Sequence, residues 1–356
     1  MWYRASMAVL GVVLALMAIR QVDGNEPLST EGEPLQRFEF LQIRMAIPVR
    51  ITVYAADEPT ANQASQAAYA RFRQLDRILS HYDPDSELSQ LCKQAVVGQP
   101  TKVSRELFTV IAAAEYVSQQ SEGAFDATVG PLMDLWRKSR KAGILATDIE
   151  LAEARQKVGY QYVSLDPDAQ TVTFLREGIR LDLGGIAKGY AADEALRVLR
   201  EQGIERALID AGGDIVAGAP PPGKESWLIG IAPLDTSDAA PTRFLQLSHC
   251  AVATSGDSVQ FVEIDGVRYS HILDPRTGLG LTSHSSVTVI AHDGITADAW
   301  ASAVSVLGAE KGVSALTQSV PTAEAFVVAQ TDSQSERVDT PGFSRYEVVI
   351  DRKPTD

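Results

Sequence analysis

Two glycines, a lysine and an aspartate meet at the start of a predicted helix in the segment LDLGGIAKGYAADEA, residues 181–195. Glycines let the backbone approach a ligand closely, and a helix N-terminus presents N–H groups and the positive end of its dipole to an anion. Lys188 adds a mobile cation, and Asp182 adds a carboxylate. The spacing matches neither the G-x-G-x-x-G fingerprint nor the P-loop pattern of nucleotide-binding folds. The combination favours a phosphate site, while an ordinary strand–turn–helix junction is the alternative.

A carboxylate and a hydroxyl stand one helical turn apart in a second segment, GITADAWASAVSVLG, residues 294–308. Thr296 is predicted to be the N-cap, which places Asp298 in the first turn and Ser302 on the same helix face. Two hard oxygens aimed at one point suit Mg²⁺. The alternative is that Asp298 complements the helix dipole and Ser302 packs as a small residue. This segment alone favours that alternative.

Two turn-rich segments add titratable and aromatic side chains. HILDPRTGLG, residues 271–280, gathers His271, Asp274 and Arg276, a set that suits phosphoryl chemistry. The same letters also form a good structural turn, in which Asp274 bonds backbone N–H groups. Tyr82 lies in the loop of LSHYDPDSELSQL, where an exposed ring could stack on a base. The alternative for this residue is a half-buried tyrosine.

The composition limits the possible partners. The chain has 356 residues, 45% of them hydrophobic and 22% charged, and its formal net charge is −14. No basic stripe is present to neutralise a nucleic-acid backbone, so nucleic acid is not expected as a partner. An anionic ligand must therefore be held by local dipoles, a metal ion or a few selected cations. The two cysteines, Cys92 and Cys250, are too few for a disulfide framework or a zinc site.

The first 24 residues have the pattern of a secretory signal peptide. Arg4 precedes a 13-residue apolar run, Met7–Ile19, and small side chains surround a candidate cleavage point after Gly24. The run is short for a membrane span, and an uncleaved anchor is the alternative. A lipoprotein anchor is not expected, because no cysteine lies near residue 24. Residues 25–38 are predicted to be a polar linker, and the mature protein is expected in the periplasm or cell envelope.

The remaining chain, residues 39–356, is predicted to be one domain of mixed strands and helices. The two patterns follow each other without a regular βαβ repeat, which favours the α+β class. Thr147 and Glu150 form a capping box for a helix that is expected to end at Gly159. The other helices are predicted over 64–79, 104–120, 188–203 and 296–306. The strands are predicted over 40–54, 160–166, 171–177, 179–183, 206–213, 226–232, 243–254, 259–273 and 287–291, followed by two late strands. A hairpin turn is predicted at 265–266.

Six short motifs follow one another between about residues 40 and 310. They are S-x-Y-x-P-x-S-E at 80–87, G-x-F-D-x-T-V-G at 123–130, D-L-G-G-I-A-K-G-Y at 182–190, D-A-G-G-D at 210–214, H-I-L-D-P-R-T-G at 271–278 and A-D-A at 297–299. In this order the series resembles the FAD:protein FMN transferase family, the ApbE-type proteins. No common fold-level motif reproduces the series.

The resemblance implies a two-lobed α+β body that binds FAD in the cleft between the lobes, with the adenine stacked near Tyr82. It implies that Mg²⁺ is held beside the pyrophosphate by the Gly185 carbonyl, Asp298 and Ser302. The implied reaction transfers FMN from FAD to a threonine hydroxyl of an exported partner, a membrane redox complex subunit, and releases AMP. Further FAD contacts are implied at Met45, Ala124, Phe125, Asp126, Asp182, Lys188 and Ile272.

His271 is the candidate for proton handling at the threonine hydroxyl, with Asp298 as its competitor. Two other functions use the same residues. The first is an FAD pyrophosphatase, in which water replaces threonine and the products are FMN and AMP. The second is an exported protein that binds FAD without catalysis, although such a protein has no need of a metal constellation.

The chain departs from the family pattern at three places. Ala46-Ile47 follow Met45 where Gly-Thr is usual, Ala127 replaces a proline, and Ser302 replaces a threonine. Serine keeps an oxygen ligand for the metal. Ala46-Ile47 removes a hydroxyl group from the implied flavin pocket, which is expected to reshape it.

Overall fold

Apolar residues recur at helical spacing in the longer helices and alternate along the strands, and these two patterns build the layers of the fold. The computed structural model describes residues 34–231, 234, 243–257, 260–330 and 335–348. The predicted signal peptide and residues 25–33 of the predicted linker lie outside these ranges. Within them, no helix has both the length and the apolar character needed to cross a membrane.

Helices and strands follow each other irregularly along the chain. The helices are α1 Glu58–Leu79, α2 Glu87–Gln94, α3 Arg105–Gln120, α4 Gly130–Ala142, α5 Asp148–Arg155, α6 Ala187–Glu201, α7 Gly294–Leu307 and α8 Ala309–Ser319. The strands are β1 Gln36–Arg44, β2 Ile47–Ala55, β3 Thr101–Lys102, β4 Val163–Asp166, β5 Thr171–Phe174, β6 Ala207–Ala211, β7 Asp214–Ala217, β8 Trp227–Ile231, β9 Arg243–Leu247, β10 Cys250–Gly256, β11 Phe261–Ile264, β12 Val267–Ser270, β13 Leu273–Asp274, β14 Leu279–Gly280, β15 His284–Ala291, β16 Glu324–Gln330, β17 Ser335–Asp339 and β18 Glu347–Val348.

A central antiparallel sheet of eight strands has the order β1-β2-β6-β7-β10-β15-β16-β17. Strand β10 separates two apolar cores, because Ala251 and Ala253 belong to one core and Val252 to the other. Helices α1, α6 and α7 pack over the first face, where Trp300 is fully buried. The three-stranded sheet β8-β9-β18 contributes to the second core around Trp227. The main body therefore has a helical layer, a central sheet and a second small sheet.

A third apolar cluster is separate from these two cores. Helices α4 and α5 and the strands β12 and β13 contribute Leu132, Trp136, Leu151, Tyr269 and Leu273 to this cluster. The rings of Trp136 and Tyr269 meet edge to face, with centroids 5.7 Å apart. The predicted α+β class is confirmed.

The strand predicted over residues 40–54 is a hairpin of two strands. The chain reverses at Met45 and Ala46, whose φ angles of 48° and 61° are both left-handed. A two-residue hairpin turn of type I′ requires this backbone, which asparagine and glycine usually supply. The turn was not predicted from the sequence, because neither asparagine nor glycine occurs at positions 45 and 46. Strand β1 also begins at Gln36, inside the predicted linker.

The N-terminus of α7 differs from the prediction. Asp293 is the N-cap in place of Thr296, and its carboxylate accepts a hydrogen bond from the Thr296 N–H at 3.1 Å. Both residues are good caps by composition, and the aspartate lies three positions earlier. Asp298 therefore lies in the second turn of α7 and not in the first.

Three further predictions differ from the structure, while most long elements agree. The strand predicted at 179–183 forms only one isolated bridge, between Arg180 and Val129. Helix α5 ends at Arg155 and not at Gly159, and residues 160–162 form a 3₁₀ turn in place of a strand. The capping box is confirmed, as are helices α1 and α3 and the hairpin turn at 265–266.

Candidate functional site

Helices α6 and α7 approach each other through small residues spaced four apart. A Cβ atom on Gly189 would lie 2.0 Å from the carbonyl oxygen of Gly294 and 2.9 Å from Cβ of Asp298. A Cβ atom on Gly185 would lie 3.0 Å from the hydroxyl oxygen of Ser302. Residues 185 and 189 thus meet residues 302 and 298 in antiparallel order. Because these glycines have no side chain, α7 packs closely against them, and Asp298 and Ser302 lie near the start of α6.

A third contact continues this series one turn further along α6. The Asp193 carboxylate accepts hydrogen bonds from the N–H groups of Gly294 at 2.7 Å and Ile295 at 2.9 Å. These groups belong to the first turn of α7, whose dipole favours a negative charge there. Burial raises the pKa of Asp193 to about 7. Asp193 fixes the register of the two helices.

Lys188 joins two carboxylates that lie far apart in the sequence. Its ammonium group donates a short hydrogen bond to Asp214 and lies 3.2 Å from Oδ1 of Asp298. The side chain of Lys188 is 30% exposed, while both carboxylates are buried. One ammonium group faces two carboxylates, so the cluster carries excess negative charge until a second cation arrives.

The pKa shifts in this cluster agree with that charge balance. Burial lowers the pKa of Lys188, but the negative charges of Asp298 and Asp214 outweigh burial and raise it above the usual range. Burial and the charge of Asp298 raise the pKa of Asp214, against the attraction of Lys188. Lys188 is therefore firmly protonated at neutral pH, as a phosphate-binding lysine must be.

The residues implied as magnesium ligands fit that ion. Ser302 lies beside Gly185, where a side chain would fill the space next to its hydroxyl, and Asp298 lies one turn earlier in α7 beside Gly189. No described residue forms a hydrogen bond with that hydroxyl. A carboxylate, a hydroxyl and a backbone carbonyl are all hard oxygen donors. Groups of three or more His, Cys, Asp or Glu side chains arranged for a metal are absent from the described residues.

The positive end of α6 stabilises a carboxylate of the protein itself. The N–H of Gly189 donates to Oδ2 of Asp298 at 3.1 Å, and no described side chain caps this helix. The predicted anion site at the helix start is therefore used to orient Asp298. A bound phosphate would instead meet the ammonium group of Lys188.

His271 has the protonation pattern of a general base. Its Nδ1 lies 3.2 Å from the carbonyl oxygen of Gln260, which can only accept, so the neutral ring leaves Nε2 unprotonated. Burial lowers the pKa of His271, and the positive charges of Arg140 and Lys188 lower it further.

The rest of the HILDPRTG loop is structural. The guanidinium group of Arg276 binds Asp274 through two hydrogen bonds, at 2.9 and 2.8 Å. It also donates to the carbonyl oxygen of Val306 in the last turn of α7, at 3.2 Å. Of the two interpretations left open for this segment, the structural turn describes Asp274 and Arg276.

Tyr82 and Asp182 lie together at a second place in the structure. Tyr82 is 72% exposed, so the half-buried alternative is wrong. Asp182 is buried and accepts hydrogen bonds from Arg137 at 2.6 Å and from the N–H of Gly184 at 2.9 Å. Asp182 therefore links the loop before α6 to helix α4.

The implied flavin contacts at residues 124–126 have buried side chains. The ring of Phe125 lies 3.4 Å from the position of a Cβ atom on Gly185. Asp126 accepts hydrogen bonds from the N–H groups of Thr128 at 2.7 Å and Tyr160 at 2.9 Å. Its carboxylate holds the loop, so a ligand would meet the backbone of this segment.

Two other implied contacts lie in turns. Met45 is half-buried in the strained turn between β1 and β2, which adjoins Gly212 because β2 pairs with β6. The N–H of Ile272 donates to the hydroxyl of Ser270, and its carbonyl accepts from Leu281. The structure holds both positions through the backbone.

Asp214 and Arg137 were not predicted from the sequence. Asp214 belongs to the recognised D-A-G-G-D motif, but only the fold shows that it binds Lys188. The turn of Gly212 and Gly213 before it was the available signal. Nothing in the sequence indicated a functional role for Arg137, because arginines on amphipathic helices are common on protein surfaces.

Comparison with known proteins identifies the family. The model of the ApbE family matches residues 45–327. An FAD:protein FMN transferase of Klebsiella pneumoniae is 31% identical over 317 residues, which cover 88% of this chain and 97% of that protein. Another, from Vibrio cholerae, is 34% identical over 67% of this chain and 74% of its own length.

Solved structures agree in fold. The flavin transferase ApbE from Vibrio cholerae aligns with a TM-score of 0.78 at 28% identity, over 88% of this chain and 100% of that one. The ApbE protein from Thermotoga maritima also gives 0.78, at 31% identity and the same two coverages. With the lysine–carboxylate cluster at the start of α6, these matches lead to one conclusion: the chain belongs to the ApbE family.

Proposed function

We propose that this protein transfers FMN from FAD to a threonine hydroxyl of an acceptor protein in a Mg²⁺-dependent reaction that releases AMP. The acceptor is an exported protein, a subunit of a membrane redox complex. The observation that carries the proposal is the contact between α6 and α7, which brings Gly185, Lys188, Asp298 and Ser302 together. The curated relatives named FAD:protein FMN transferase support the reaction class.

The chain supplies charge and a base for the transfer. Mg²⁺, when bound by Gly185, Asp298 and Ser302, supplies positive charge beside the pyrophosphate. The ammonium group of Lys188 adds a second positive charge next to Asp298. Phosphoryl transfer depends mainly on positioning and charge stabilisation, so these two sources suit it.

The bonds made and broken are few. The threonine oxygen attacks the phosphorus atom of the FMN half and forms a phosphoester bond, while the bond from that phosphorus to the bridging oxygen breaks. AMP leaves with the electron pair. Nε2 of His271 accepts the hydroxyl proton. Asp298 is the weaker candidate for this base, because its oxygens already contact Lys188 and the Gly189 N–H.

Product analysis tests the proposal. The mature protein is incubated with FAD, Mg²⁺ and a purified redox subunit that carries a candidate threonine, and a variant of the subunit with alanine at that threonine is the control. We expect an FMN adduct on the threonine form only, an equal amount of AMP, and no adduct when EDTA removes the metal. FMN and AMP without an adduct would instead indicate an FAD pyrophosphatase. FAD binding without either product would indicate a non-catalytic carrier.

A further inference from the structure

An exposed aromatic ring rests on polar side chains in the loop between α1 and α2. Tyr82 is 72% exposed, yet its ring centroid lies 3.8 Å from that of His81 and 4.9 Å from the guanidinium carbon of Arg137. The backbone below the ring is also fixed. The hydroxyl oxygen of Ser80 accepts hydrogen bonds from the N–H groups of Tyr82 at 3.2 Å and Asp83 at 3.3 Å. The ring is open to solvent on a rigid base.

Arg137, His81 and Asp182 form a closed network beside this ring. Arg137 Nη2 lies 2.6 Å from Oδ2 of Asp182 and 2.8 Å from Nε2 of His81. Because arginine can only donate, Nε2 of the histidine accepts, and the ring proton belongs on Nδ1. Nδ1 lies 3.4 Å from Oδ1 of Asp182, which completes the triangle. Burial lowers the pKa of His81, which keeps the ring in the neutral form that this network requires.

The network uses Asp182 internally. Its oxygens receive hydrogen bonds from Arg137 and from the N–H of Gly184, and the His81 ring lies close to one of them. The carboxylate therefore holds the arginine in place. The arginine in turn lies within cation–π distance of the exposed ring of Tyr82.

We propose that Arg137 is the positioning residue for adenine recognition: Asp182 and His81 hold its guanidinium group, and that group orients the Tyr82 ring on which the adenine of FAD stacks. This inference rests on the proposed function, which makes FAD the substrate. A ring held in one orientation loses less freedom when a base stacks on it, and the binding affinity rises accordingly. Lysine cannot replace the arginine fully, because a point charge does not offer a planar fork to both Asp182 and His81.

Binding measurements on the full mature protein test the inference. Titrations with FAD, AMP and FMN compare wild type with Arg137→Gln, Arg137→Lys, Tyr82→Ala and the double variant Tyr82→Ala/Arg137→Gln. Lys138→Gln is the matched control, because it removes one positive charge from an exposed neighbouring position of α4. Thermal melts confirm that each variant is folded. Arg137→Lys keeps the positive charge beside Asp182 and so provides a test even if Arg137→Gln is unstable.

We expect Arg137→Gln to weaken the binding of FAD and AMP about five- to tenfold and to leave FMN affinity unchanged within about twofold. Arg137→Lys should fall between wild type and Arg137→Gln. In the Tyr82→Ala background, Arg137→Gln should cost less than about twofold, because the arginine acts through the ring. Lys138→Gln should bind all three ligands like wild type.

Three results would overturn the inference. Wild-type FAD affinity in both Arg137 variants would show that the arginine is only structural. If the affinity of the double variant falls by the product of the two single-variant losses, Arg137 acts independently of Tyr82. An equal loss for FMN would place its effect outside the adenine subsite. If wild type binds no FAD at all, the proposed function itself fails, and the inference fails with it.

Discussion

The α6–α7 junction is negatively charged until a cation binds. Lys188 faces both Asp214 and Asp298, and the hydroxyl of Ser302 lies one turn further along α7. Two buried carboxylates beside one ammonium group favour a further cation, and hard oxygen ligands favour Mg²⁺ over softer metals. The same charges keep Lys188 protonated. With a metal ion bound as proposed, this arrangement would let a protein with a net charge of −14 hold a pyrophosphate.

The Ser302 hydroxyl contributes one neutral oxygen to the proposed metal site. Ser302→Ala should raise the Mg²⁺ concentration for half-maximal transfer about tenfold, while Ser302→Thr should leave it close to wild type. Both variants keep the Cβ atom of residue 302 beside Gly185 and should melt within a few degrees of wild type. Mg²⁺ titrations of the transfer rate and of metal-dependent FAD binding provide the measurement. Equal Mg²⁺ requirements in all three proteins would exclude Ser302 as a ligand.

As the proposed base, His271 should determine the acid limb of the pH profile. Burial and the nearby positive charges lower this pKa, so the neutral base persists below the ordinary histidine value of about 6.5. The transfer rate should therefore stay constant as the pH falls to that value and decrease only below it. Arg140→Gln removes one of the charges and should move the acid limb to higher pH. Lys138→Gln is the control.

Profiles of kcat/KM between about pH 5 and 8 provide this measurement. An acid limb above the ordinary histidine value in wild type would contradict the assignment of His271 as the base. So would an acid limb that does not move in Arg140→Gln.

The sequence identified the chemistry of single residues better than their partners. Asp298 and Ser302 could be paired because four positions in a helix give one face. Asp214 could not be paired with Lys188, since the ion pair depends on how β7 lies beside α6. Asp126 was predicted to contact the flavin, but its carboxylate accepts hydrogen bonds from backbone N–H groups of Thr128 and Tyr160. Only the folded loop brings these groups to it.

Among the secondary-structure elements, the packing of α6 against α7 determines where the residues of the proposed site lie. Gly189 and Gly294 allow the α6 and α7 backbones to touch, and Asp193 holds the first turn of α7. Residues 185 and 189 are four positions apart, as are residues 298 and 302, so the same packing also brings Gly185 beside Ser302. The last glycine of the G-G-x-A-K-G segment therefore acts on helix packing, although glycines there at first indicated contact with a phosphate.

The substitution Gly189→Ala tests this packing. Its Cβ would overlap the carbonyl oxygen of Gly294, so α6 must move away from α7. We expect a loss of about 1–3 kcal/mol in the free energy of unfolding and a higher Mg²⁺ requirement. Gly312→Ala is the matched control, because its Cβ would lie 2.8 Å from Val304 where α8 packs on α7, at a residue outside the proposed site.

Chemical denaturation and Mg²⁺ titration of both variants provide the comparison. Gly312→Ala should lose stability but keep the wild-type Mg²⁺ requirement. A normal Mg²⁺ requirement in Gly189→Ala would show that the helix contact does not position the metal ligands.

The elements were predictable where local signals were strong. Helix α1 carries apolar residues at regular helical spacing, and the capping box of α5 is a local pattern, so both were found. The turn at Met45 and Ala46 was not found, because strand pairing imposes left-handed backbone on residues that do not favour it.

For the molecule as a whole, we propose that the first 24 residues direct export, so that the reaction takes place outside the cytoplasm. We expect the mature chain to begin near Asn25 and to lie outside the cytoplasm without a lipid anchor, because the apolar run is short and no cysteine follows it. N-terminal sequencing of protein from the native host, with fractionation into membrane and soluble parts, checks this. An intact Met1 in the membrane fraction would show an anchored protein.

The most direct test of the account is the intact mass of an acceptor protein incubated with FAD and Mg²⁺ and either wild type or Asp298→Asn. Asparagine keeps the shape and the hydrogen bond from Gly189 but loses the charge that Lys188 and the metal require. Asp293→Asn is the control, since asparagine caps α7 equally well. We predict an FMN adduct with wild type and the control, and adduct formation about a hundredfold slower or more with Asp298→Asn at an unchanged fold. Adduct formation at the wild-type rate by Asp298→Asn would contradict the account.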